Sequence, residues 1–156
     1  MANGEKKDSS ITFRFLDSHF EHMKPDLKRL KEAGRNFTAS VMACMIEGEY
    51  TFRRNPGDIV RYREMWRPIE NESSRKNIRA PENFSVHFSG VAKTFRVDLN
   101  SFIIASVHRN LSFFADNPEM VDIVYREWAE KQLANCMAVP RQTCMTECVP
   151  APRKAI

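Results

Sequence analysis

The segment from Phe102 to Ala115 constrains this chain more than any other. Placed on a helix, Phe102, Ile103, Ile104, Val107, Leu111, Phe113 and Phe114 cover most of its circumference, so it must be enclosed on every side. It is too short to cross a membrane, which takes ~18 or more apolar residues. It is also interrupted by Ser106, His108, Arg109, Asn110 and Ser112. The expectation is therefore a central helix of one domain, which suits a chain of 156 residues with 42% hydrophobic content.

The neighbouring segments supply the cover. Phe84, Val86 and Phe88 alternate with polar residues, as do Phe95, Val97 and Leu99, around a connector containing Gly90. That pattern predicts a β-hairpin over 84–99. Pro118 opens a second helix reaching about Met137, with Val121, Val124, Trp128, Gln132 or Leu133, and Cys136 along one stripe. The short link Asp116-Asn117-Pro118 makes the two helices an antiparallel pair.

Earlier in the chain, Ile11, Phe13 and Phe15 alternate, but Phe13, Leu16, Phe20 and Met23 form a longer helical stripe. The reading takes helix from Thr12 to Met23, then Pro25 to Ala33 with Gly34 as its cap. A third helix runs from Thr38 to a stop at Gly48, and a short one from Asp58 to Trp66. Glu49 to Phe52 reads as a strand or extended connector, and residues 67–83 as a surface loop.

The fold class expected is α+β. It is a predominantly helical single domain with one β-hairpin followed by an antiparallel helix pair. Residues 1–9 are expected to be a disordered N-terminus, 10–137 the globular domain, and 138–156 a disordered tail with three prolines. Within the domain, 10–66 hold the N-terminal helices and 84–137 the hairpin–helix–helix unit.

The formal charge of +4 is uneven. Residues 81–156 are balanced, while 53–79 carry eight bases against four acids. Seven of those eight are arginine, the planar cation suited to phosphate and carboxylate. The candidate site for nucleic acid or an acidic partner is Arg53, Arg54, Arg61, Tyr62, Arg63, Trp66, Arg67, Arg75, Lys76 and Arg79. The arginines would bind phosphates, and Tyr62 and Trp66 would stack on bases or anchor the core. The aromatics Phe102, Phe113, Phe114, Tyr125 and Trp128 are the candidate protein interface. Met42, Met45 and Phe37 read as a core stripe before an adaptable groove.

Signals for chemistry are sparse. Cys136, Cys144 and Cys148 have spacing compatible with a partial zinc site, but four ligands are needed, and no metal or cofactor is assigned. His19 and His22 read as surface residues, His87 as solvent-facing on a strand, and His108 as a hydrogen-bonded core residue. Phosphate-loop, dinucleotide, nucleophile-elbow and zinc-protease motifs are all missing. Four glycosylation sequons, at Asn36, Asn71, Asn83 and Asn110, exceed chance expectation. The first residues show no secretory signal, and Asn110 is expected to be buried. A nuclear or cytoplasmic location follows.

The leading functional expectation is a non-enzymatic interaction or regulatory protein, an adaptor or subunit of a complex. Its partner would be another protein or a second copy in a homo-oligomer. An RNA- or DNA-binding protein using 53–79 comes second, and an enzyme third.

Overall fold

The computed structural model describes residues 8–65 and 73–138. The element order is β1 (Asp8–Leu16), α1 (Asp17–Glu32), α2 (Phe37–Arg54), α3 (Pro56–Met65), β2 (Ser73–Pro81), α4 (Glu82–Thr94), α5 (Leu99–Asp116) and α6 (Glu119–Ala138). The predominantly helical α+β expectation is met, with one two-stranded antiparallel sheet.

The strands come from elsewhere than expected. Residues 12–16 belong to β1, and Phe84–Leu99 is helix and turn. β1 pairs with β2, inside the segment read as a loop, in a register that places Ile11 opposite Ile78 and Phe13 opposite Lys76. Ile11, Phe13, Phe15, Ile78 and Ala80 are buried beneath the sheet. Asp8 and Ser9, expected to be disordered, are part of β1.

β1 runs into α1 with no intervening loop, and Pro25 lies inside α1 rather than opening a new helix. Gly34 ends α1 as expected. With φ at 86° it lets Arg35 N–H reach Leu30 C=O at 2.8 Å and its own N–H reach Lys31 C=O at 3.0 Å. α2 starts one residue earlier than read, capped by Asn36, whose side chain accepts from Ala39 N–H at 2.8 Å.

α2 does not stop at Gly48. It continues through the supposed strand 49–52 to Arg54. Gly48 is where α2 meets α5: a Cβ there would overlap the Ser106 hydroxyl and stand 2.8 Å from its Cβ. The unbroken buried run Ser40–Ile46 makes α2 a second central helix beside α5.

In α4, Phe84, Phe88, Val91 and Ala92 face inward, whereas Val86 is 66% exposed. That spacing is helical. Arg96, at φ 62°, occupies the left-handed position that ends α4, with Val97 N–H bonded to Ala92 C=O at 3.0 Å.

α5 is the central helix expected, burying Phe102 to Val107, Asn110, Leu111, Phe114 and Ala115. Asn110 donates to the carbonyls of Ser106 (3.0 Å) and Cys44 (3.4 Å). Its burial agrees with the sequence reading. Around α5 the aromatic core is continuous: Phe88 stacks on Phe102 at 5.9 Å, Phe95 on Phe102 at 6.1 Å, and Phe84 meets Trp128 edge-on at 5.1 Å. No described helix is long and apolar enough to cross a membrane.

Candidate nucleic-acid interface

The sheet has two chemically opposite faces. Because strand side chains alternate, burying Ile11, Phe13 and Phe15 turns Ser10, Thr12 and Arg14 outward. Burying Ile78 and Ala80 does the same for Arg75, Asn77 and Arg79. The register then sets Ser10 opposite Arg79, Thr12 opposite Asn77, and Arg14 opposite Arg75. Three arginines, an asparagine and two hydroxyls thus form one patch. Asp8, at the far end of β1 opposite Pro81, is the only acid in either strand.

The patch is internally ordered. Asn77 Oδ1 accepts from the hydroxyls of Ser10 and Thr12. Arg14 donates to Ser73 Oγ at 3.3 Å, and its backbone N–H donates to Asn100 Oδ1 at 2.6 Å. Among the described residues no acid pairs with Arg75 or Arg79, and both are exposed. Lys76 belongs to the opposite side of β2, where its ammonium lies 3.9 Å from the Phe20 ring centre.

The structure divides the remaining basic candidates. Arg53 is bonded to Glu49 at 2.6 Å and Arg61 to Asp58 at 3.4 Å, so both carry intrahelical acid partners at the α2–α3 corner. Arg54 is exposed at the same corner. Tyr62 is half-buried, stacked on His108 at 6.0 Å and edge-on to Phe52 at 6.4 Å, which makes it a core anchor. Arg63 lies on α3; Trp66 and Arg67 lie outside the described residues. The sequence reading did not find Ser10, Thr12, Arg14 or Asn77. Only the pairing of β1 with a strand over sixty residues away brings them beside Arg75 and Arg79.

The anticipated aromatic protein interface is largely used internally. Phe102 and Phe114 are fully buried and Trp128 is 4% exposed. Tyr125 is half-buried against Phe84 and Trp128, and Phe113 alone of the five keeps a largely exposed ring. The Met stripe is core as well, with Met42 and Met45 both buried.

His19 meets His108 edge-on at 5.7 Å. Burial, followed by the charge of His22, pushes His19 down to about 4. Burial, followed by the charges of His19 and His22, pushes His108 down to about 3. His87 is not solvent-facing on a strand. It sits on α4, bonded to Glu49 at 2.9 Å and packed on Phe88 and Trp128.

Burial raises the Glu49 pKa, but hydrogen bonds from His87 and Arg53 outweigh it and hold the carboxyl below its ordinary range. No metal-ligating cluster exists among the described residues. Cys144, Cys148 and the tail from Val139 onward lie outside them, and Cys136 falls within α6. No protein-family model, curated protein or solved structure matches the chain.

Proposed function

We propose that this chain is a non-enzymatic nucleic-acid-binding protein that lays the outer face of its two-stranded sheet against duplex DNA. The observation that carries the reading is the direct opposition of Arg14 and Arg75, with Arg79 and Asn77 on the same face. Like charges placed directly across a sheet are destabilising, and no described acid relieves this pair. A polyanion would neutralise both guanidinium groups at once.

Shape supports duplex DNA in particular. The B-form major groove accepts a two-stranded β-ribbon, where asparagine bonds bidentately to adenine edges while the arginines hold the flanking phosphates. Nine residues at ~3.4 Å each give a ribbon about 30 Å long. The A-form RNA groove is too narrow for such an element. The adaptor reading loses most of its aromatic anchors to the core, so the exposed basic face becomes the stronger basis for function.

Fluorescence anisotropy with labelled duplexes of matched sequence tests the reading. Duplex DNA is expected to bind, and duplex RNA to bind at least ~10-fold more weakly, since only the former admits the ribbon. Equal binding of the two, or none at low salt, would remove it.

A further inference from the structure

A second surface carries a different ligand chemistry. α1 places Phe20, Lys24, Leu27, Lys28 and Lys31 on one face, at the spacing of successive helical turns. Phe37, at the start of α2, and Lys76 of β2 complete the lining of a groove of about 520 Å³. Its floor is three half-buried apolar side chains, Phe20, Leu27 and Phe37; its rim is four lysines. Lys24 is held by Glu21 at 2.8 Å and Lys76 by the Phe20 ring. Lys28 and Lys31 have no ion pair among the described residues. Asp26, two residues before Lys28, is engaged by Arg29 at 3.2 Å and by the Ser112 hydroxyl at 3.0 Å; Glu32, beside Lys31 at the end of α1, forms no ion pair with either lysine among the described residues.

We propose that this groove docks an acidic, amphipathic helical segment of a partner protein. The proposal is independent of the sheet reading. Three features select the occupant. The apolar floor needs an apolar face to cover it, and a half-exposed Phe–Leu–Phe strip is the anchor surface that helix-in-groove recognition uses. The lysines from Lys24 to Lys31 are strung along about 10 Å of helix. A row of carboxylates one turn apart complements that row, whereas the single head group of a fatty acid would satisfy one end of it. Apart from the ammonium groups, the lining offers no hydrogen-bonding side chain, so nothing there reads the edge of a nucleobase. The chain's own residues 139–156 carry three bases and one acid, the wrong sign for this rim.

The test uses the full chain and a fluorescein-labelled helical peptide with Phe and Leu along one face and glutamates flanking it. Saturable binding is expected. The exposed pair Lys28→Glu with Lys31→Glu, which touches no core contact, is expected to weaken it about tenfold or more. A scrambled peptide of the same composition is expected to lose binding, and neither oleate nor a single-stranded oligonucleotide should displace the intact one. Binding that survives the lysine reversal, equal binding of the scrambled peptide, displacement by either competitor, or no binding at all would each overturn the proposal.

Discussion

Arg14 and Arg75 are direct cross-strand partners on the outer face of the sheet, with no described acid paired to Arg75. Two effects of opposite sign follow for Arg75→Glu. The like-charge pair becomes an attractive one, so thermal or denaturant unfolding should show unchanged to increased stability, by about 0.2–1 kcal/mol. DNA affinity should fall in the same protein. A variant that loses stability and affinity together would mean that Arg75 serves the fold.

Arg96 ends α4 in the left-handed conformation at φ 62°, a position where glycine carries no Cβ penalty. Arg96→Gly should therefore raise stability by up to about 1 kcal/mol. Arg96→Val should lower it. Denaturant melts of the two variants beside the parent decide the sign.

Gly48 lies against Ser106 where α2 and α5 meet. Gly48→Ala forces the helices apart or displaces a buried side chain, and should cost about 1–3 kcal/mol. Pairing it with Ser106→Gly, which opens the space, should recover part of that loss. Additive losses in the double variant would contradict the contact.

Acid should destabilise the protein in two stages. In the fold His19 and His108 hold pKa values near 4 and 3, against 6.5 for the free side chain. Below pH 6.5 the unfolded chain therefore binds protons that the fold refuses, and stability drops as pH falls from there toward those values. Glu49 has the ordinary carboxylate sign: its folded pKa lies below 4.5, so its contribution is full above pH 4.5 and lost as pH falls through the folded value. Melting temperature should decline between about pH 7 and pH 5, and His108→Leu should flatten that upper stage. A parent profile already flat there would contradict the half-buried neutral pair.

The helical bulk of the fold is visible in the residues because α5 is apolar around most of its circumference and the stop at Gly34 follows a local rule; the cap of α2 is Asn36, ahead of Thr38 where the sequence starts that helix. The strands are hidden for a physical reason. β1 passes into α1 without a turn, so Phe13 serves the alternation of one and the helical spacing of the other. β2 buries only Ile78 and Ala80 in nine residues, and its partner lies far away in sequence. At 84–88 the ambiguity lies at one position. Phe84 and Phe88 share a side in either geometry, and Val86, buried in a strand, is exposed in the helix that forms. The basic segment was recognisable as charge. Its division into acid-paired Arg53 and Arg61 and the open face of Arg75 and Arg79 depends on pairings that no single segment reveals.

The most direct measurement is the salt dependence of duplex-DNA affinity for the parent and for single Arg14→Ala, Arg75→Ala and Arg79→Ala variants. With three guanidinium groups on phosphates, log K should fall against log salt with a slope near −3, about 40-fold between 50 and 200 mM. Each arginine removed should reduce that slope by about one unit. A slope near zero, or one that no sheet arginine changes, would contradict the assignment of this face to DNA.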